Sequence, residues 1–136
     1  MTLSILDINK SLIKSISVYF FIAIFTLIFD KVYSLFSHGV SSKYMDLMFL
    51  YPLIGGALIY LLLFIFARNI NYNKNKFSFN IYNAGIATLT VGSLLHGIFE
   101  IAGTSSEYIV YYSVIGWIAI VLGITSIFIN SFRKIE

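Results

Sequence analysis

His96 and Glu100 are the residues of this chain whose type and spacing come nearest to chemistry. They stand four apart in an otherwise apolar stretch, so on a helix they share a face and can touch. Ionisable groups inside a membrane span are costly; they commonly face protein or water and mark ion or proton pathways. A carboxylate beside an imidazole is also a pair whose charge responds to pH. Asp30 and Asp46 extend the set. Counted from Lys14 at ~1.5 Å per residue, Asp30 lies ~24 Å along a helix, at the same end as Glu100. The four residues could therefore form one polar patch that holds an ion or ligand.

Each of them also has a plainer reading. Glu100 falls about a turn from the expected interface and can reach the headgroups, while His96 can serve as a hydrogen-bonded packing residue. Asp30 and Asp46 fit ordinary interfacial charges. Lys31 is a poor expected partner for Asp30, because adjacent helical residues point in different directions; Lys43 or a place in the acidic patch fits Asp30 better.

Other chemistries have less support. The spacing H-x-x-x-E supplies two possible ligands and no third, and it is not H-E-x-x-H, so no metal site is expected. With no cysteine there is no disulfide, thiolate ligand or thiol nucleophile. Ser93, three residues before His96, offers a nucleophile and base without an oxyanion hole or third member. Gly55-Gly56 lacks the lysine of a phosphate loop and sits inside an apolar segment. No cofactor is expected, and a membrane-embedded enzyme is the least favoured reading.

The elements that must position these residues are four apolar segments, at 13–36, 47–67, 81–102 and 108–132. Each is close to the ~20 residues that cross a ~30 Å hydrocarbon layer as a helix. A mean hydropathy of +0.89 and 11% charged residues leave no room for a soluble domain of any size. Consecutive apolar residues such as Phe20-Phe21-Ile22-Ala23-Ile24-Phe25 exclude the alternating pattern of a barrel strand. The expected fold is all-α: a polytopic, left-handed four-helix transmembrane bundle, with residues 1–136 as a single domain. Richness in Ile, Phe, Tyr, Lys and Asn with a single Pro fits an AT-rich, bacterial genome.

The basic residues set the expected orientation. Lys10, Lys14, Arg68, Lys74, Lys76, Arg133 and Lys134 fall on one side of four crossings, against Lys31 and Lys43 on the other. Short loops rich in Lys and Arg stay cytoplasmic, so both termini are expected inside the cell membrane. The inner loop, 70–76, is cationic and suits a place near anionic headgroups. The pI of about 9.1 is then a topology signal, and nucleic acid is not an expected partner. A cleaved signal peptide is the weaker reading of the first segment, since Asp30-Lys31-Val32-Tyr33 follows it in place of a small-x-small site. Residues 3–12 read as an interfacial lead-in.

Within the spans, Pro52 is expected to start or kink the second helix, with Gly55-Gly56 making that half the least rigid. Thr104-Ser105-Ser106-Glu107 reads as a capping box, and Gly103 before it as the end of the third helix. Helices three and four should therefore be adjacent and antiparallel. Gly85, Thr88, Gly92, His96 and Gly103 on one, and Tyr112, Gly116, Ala119, Gly123, Ser126 and Asn130 on the other, read as facing seams of small residues. Most tyrosines sit near the segment ends, as an aromatic belt requires, whereas Tyr19, Tyr60 and Trp117 lie deeper and read as packing. Asn83 and Asn130 are expected to hydrogen-bond between helices.

Two function classes follow. The leading one is a small integral membrane protein that binds a partner or ligand within the bilayer or at its outer face. It would act as a complex subunit or an immunity-type protein, with lipid, another membrane protein or a second copy as its contacts. The alternative is a small transporter or channel with an outward-facing polar pocket around His96 and Glu100, walled by the flexible Pro52–Gly56 region. In size alone the chain resembles small multidrug transporters. The membrane-embedded acid that those proteins carry early in their first span has no counterpart here, since residues 15–29 hold no charge. Cysteine labelling tests the orientation on this cysteine-free background. Cysteines at Ser41 and Ser105 should react with an impermeant reagent from outside and one at Asn73 should not; the reverse pattern inverts the topology.

Overall fold

The computed structural model describes residues 2–66 and 75–132. Arg68, Lys74, Arg133, Lys134 and most of the 70–76 loop lie outside the described residues. The chain there is all-α, in the order α1 (Thr2–Phe36), α2 (Lys43–Asp46), a π-helical segment (Tyr51–Leu58), α3 (Ile59–Phe66), α4 (Lys76–Ile101) and α5 (Ile109–Phe132). Four stretches are long and apolar enough to cross a membrane: Lys10–Phe36, Lys43–Ile65, Lys76–Ile101 and Ile109–Asn130. Large apolar side chains face outward along all of them; Phe21 is 70% exposed, Phe25 65% and Val110 63%. A surface of that kind needs lipid contact, since it far exceeds the apolar patches a soluble monomer leaves in water.

Each helix turns a narrow stripe inward. In α1 the buried residues are Leu12, Tyr19, Ala23, Thr26 and Asp30, a spacing that keeps them on one face. They pack against α2, the π-helical segment and α3. The lead-in at 3–12 is continuous with the first span as a single helix. α4 in turn packs on α2, the π-helical segment and α5, while α5 touches α4 alone among the described elements. The expected bundle is therefore open: α5 does not close on α1.

The second span departs from a plain helix at the residues that disrupt helices. Pro52 falls in the first turn of the π-helical segment, where its missing N–H matters least. Gly55 and Gly56 follow, and both are held from outside the segment. The Tyr82 hydroxyl donates to the Gly55 carbonyl at 2.5 Å, and the Tyr19 ring lies directly over Gly56, where a Cβ would stand. Neighbouring side chains thus satisfy and clamp the stretch expected to be least rigid, which is how irregular backbone is tolerated inside a membrane.

α4 and α5 approach along small residues. A Cβ on Gly85 would lie 2.8 Å from the Gly116 carbonyl oxygen and 2.9 Å from the Ile120 amide nitrogen. One on Gly123 would lie 2.8 Å from the Tyr82 amide nitrogen, and one on Gly92 2.6 Å from the Tyr112 Cβ. The Ser78 and Ser126 hydroxyls meet at 2.8 Å at the far end of the same seam. Thr88 instead turns its hydroxyl back onto the Ala84 carbonyl, and Ala119 is half-buried beside Ile120. Trp117 points outward, 57% exposed, and is not a core residue.

The connection between these helices corrects one reading. Gly103 adopts φ +67, its N–H donates to the Glu100 carbonyl, and the Thr104 N–H donates to the Phe99 carbonyl at 2.9 Å. This is a Schellman cap on α4. It commits the Thr104 backbone to the helix behind it, so Thr104 does not open the next one, and α5 begins only at Ile109.

Gly85→Leu is expected to lower stability in detergent by ~1–3 kcal/mol, because backbone atoms on both sides of the seam must separate. Gly39→Leu, with open space around its Cβ position, should lose only the ~1 kcal/mol of a left-handed residue. Equal losses in a thermal or denaturant titration would remove the close approach as the cause.

Candidate functional site

The end of the molecule that carries the 37–42 and 102–108 connections collects the charged and polar residues of the spans. Its organiser is α2, a single helical turn laid against α4. Ser42 caps it: the hydroxyl oxygen accepts the Tyr44 N–H at 3.3 Å, and the hydroxyl hydrogen is donated to the Glu100 carboxylate. Ser42 is buried to 1% exposure, whereas Glu100 remains exposed on its other side. One turn below, the His96 ring stacks on Tyr44 with centroids 3.6 Å apart and planes 13° from parallel. The Ser93 hydroxyl donates to the Tyr44 carbonyl at 2.6 Å. Gly97 lets the Met45 backbone come in, since a Cβ there would be 3.2 Å from the Met45 amide nitrogen.

His96 and Glu100 do share a face, and that face receives α2. The Ser93 hydroxyl is directed to a backbone carbonyl, not to His96, so the nucleophile–base arrangement is not formed. Among the described residues no cluster of three His, Cys, Asp or Glu is close enough to hold a metal.

Asp30 and Asp46 meet elsewhere at this end, through Lys31. Its ammonium lies 2.8 Å from the Asp30 carboxylate and 3.7 Å from that of Asp46. Lys31, expected to be a poor partner for Asp30, pairs with it closely. The backbones of adjacent helical residues diverge, but a four-carbon lysine stem is long enough to fold back over its own turn. Asp30 is buried and Lys31 is 72% exposed in its side chain, so the ammonium covers the carboxylate from the outer surface. The pair ties α1 to α2, just as Ser42 and Tyr44 tie α2 to α4.

A second polar site lies deeper and joins three spans. The Tyr19 hydroxyl of α1 and the Tyr60 hydroxyl of α3 both donate to the Asn83 Oδ1 of α4, each at 2.7 Å. Tyr60, fully buried, stacks on Tyr19 at 5.7 Å, tilts against Phe79 at 5.8 Å and meets Tyr82 edge-on at 6.4 Å. Asn83 and Tyr19 also border a cleft of about 690 Å³ between α1 and α4, open to the side. Its other walls include Lys14, Ser15 and Lys76 towards the chain termini, and Val18, Ile22, Ile86 and Val91 deeper in. A smaller apolar groove of about 310 Å³ runs between the π-helical segment and α5, lined by Leu50, Ile54, Leu89 and Trp117. His96, Glu100, Asp30 and Asp46 line neither.

The sequence reading found Asn83 and the deep tyrosines singly but not their convergence or the cleft beside it. The usable signal was that three hydrogen-bonding side chains interrupt three different apolar segments at matching depth. Comparison of the chain with protein-family models, curated proteins and solved structures gives no match. What the fold defines is a class, an all-α protein with four helices long and apolar enough to cross a membrane, and its function has to follow from its own geometry.

If α2 is held by these contacts, Ser42→Ala and Tyr44→Ala should each cost ~1 kcal/mol and speed hydrogen exchange of the 43–46 amides about fivefold. Glu107→Gln, exposed and outside the cluster, should change neither. Unchanged exchange in the first two variants would show that α2 is held by something other than these side chains.

Proposed function

We propose that this protein is a non-enzymatic, multi-pass membrane protein, with both termini cytoplasmic, that works by holding a second membrane component against its helices. The observation that carries this reading is the laterally open cleft between α1 and α4. Its volume, about 690 Å³, falls in the ~300–1,000 Å³ range of ligand sites, and Val18, Ile22 and Val91 along its wall are exposed, which leaves it open to lipid or another helix. The open row of helices supports the same reading, because α5 buries one face only on α4 and leaves Val114, Ile118 and Val121 for lipid or a partner. A subunit of a larger assembly, or an immunity-type protein that shields the membrane, would use such surfaces.

The transporter or channel reading has weaker support. It needs His96 and Glu100 at an accessible pocket, yet the His96 ring is stacked on Tyr44 and Glu100 takes the Ser42 hydroxyl. Its flexible wall, Gly55-Gly56, is clamped by Tyr82 and Tyr19.

Co-purification in gentle detergent from native membranes, with mass analysis of lipids and proteins, tests the proposal. The wild type should retain a bound component that Ala87→Trp, which fills the middle of the cleft, reduces at least fivefold without unfolding the protein. A lone monomer in every detergent would overturn it. Uptake abolished by Glu100→Gln in a stably folded protein would favour the transporter instead.

A further inference from the structure

The α1–α4 cleft is asymmetric in a way that specifies a ligand. Lys14 on α1 and Lys76 on α4 stand at the end nearest the chain termini, with the Ser11 and Ser15 hydroxyls beside Lys14. Among the described residues that line the cleft, the charged ones are the two lysines. α4 also begins at Lys76, which places the positive end of a 26-residue helix dipole at that level. Beyond it the walls become apolar, through Val18, Ile22, Pro52, Ile86 and Val91. From Lys76 to Val91 the wall runs about 22 Å at ~1.5 Å per residue, more than the ~15 Å depth of one leaflet. Asn83, whose Oδ1 accepts the two tyrosine hydroxyls, also lines the cleft.

A charged mouth over an apolar slot of leaflet depth matches one kind of molecule. We propose that this cleft binds an anionic glycerophospholipid, its phosphate between Lys14 and Lys76 and one acyl chain along Val18, Ile22, Ile86 and Val91. The assignment rests on the binding-protein reading above and gives it a ligand class. A neutral lipid would bring no net negative charge to the two lysines at the slot's entrance. A transmembrane helix of a partner would fill the apolar part but has no anionic group to offer at that depth unless it carries an acid there. Basic pockets between spans are a general means of recognising anionic headgroups, with each lysine contributing roughly fivefold in affinity.

Native mass spectrometry of the full-length protein, titrated separately with phosphatidylglycerol and phosphatidylcholine of the same acyl chains, tests this directly. The wild type should prefer phosphatidylglycerol by about tenfold or more. The double variant Lys14→Gln/Lys76→Gln should fall to within about twofold of no preference while its melting temperature is unchanged. Lys43→Gln, which removes a lysine outside the cleft, should keep the preference. Ala87→Trp should reduce retention of both lipids, since it blocks the acyl slot and not the headgroup site. Equal binding of the two lipids by the wild type, or a preference that survives the double variant, overturns the assignment. If the lysine variants have no effect but Ala87→Trp still releases the component co-purified from native membranes, the lipid assignment fails while the binding-protein reading stands. If Ala87→Trp releases nothing either, both fail.

Discussion

Asn83 receives two tyrosine hydroxyls at once, and the arrangement of the spans follows from that junction. In lipid, apolar side chains gain little by leaving their solvent for one another, so helices are placed by close packing and by polar atoms that need partners. An amide oxygen with two lone pairs can satisfy two donors, and here the donors come from α1 and α3. Tyr60 then carries the geometry outward through its ring, meeting Tyr19, Phe79 and Tyr82. Tyr82 in turn reaches the Gly55 carbonyl within the π-helical segment. The irregularity in the second span is thus tied to the junction through one tyrosine.

The remaining contacts extend from this junction in two directions. Towards the 37–42 connection, α2 is fastened to α4 by Ser42, Tyr44 and Ser93, and to α1 by Lys31. Beyond the junction, towards the chain termini, no bond among the described residues fastens α1 to α4, and the two enclose a cleft. The polar residues at one end therefore join α2 to α1 and α4, whereas at the other end Ser78 and Ser126 join α4 to α5 and Lys14 and Lys76 line the cleft. That difference, more than the number of charged groups, favours the cleft over the His96–Glu100 region as the place where the protein acts.

The legibility of the fold in the sequence varied with how local each determinant is. Span positions, the glycines of the α4–α5 seam and the Gly103 terminus depend on composition and near neighbours and were readable, whereas Thr88 and His96, expected on that seam, turn to Ala84 and Tyr44, and Ser78 was not foreseen in it. The capping box at Thr104 was misread because two motifs overlapped on one residue, and the Schellman cap had already taken its amide. Pro52 and Gly55-Gly56 marked where the second span would be irregular, but the form of that irregularity depends on Tyr19 and Tyr82, distant in sequence. Lys31 was misjudged because backbone direction was considered without the reach of its side chain. The cleft has contributors from α1, the π-helical segment and α4, and no window of sequence contains it.

Among the described elements α5 packs on α4 alone, which also bears on how the molecule is made. The connection between them is a few residues long, and their seam is built from contacts that need no other part of the chain. Loop-closure entropy is small for such a hairpin, so it can form early and without waiting for the more distant pairings. The junction at Asn83 joins residues separated by 23 and 64 positions and is the slower event. Assembly then becomes the docking of a preformed helical hairpin, presenting Asn83 on its free side, onto two spans that acquire their register only when the amide arrives.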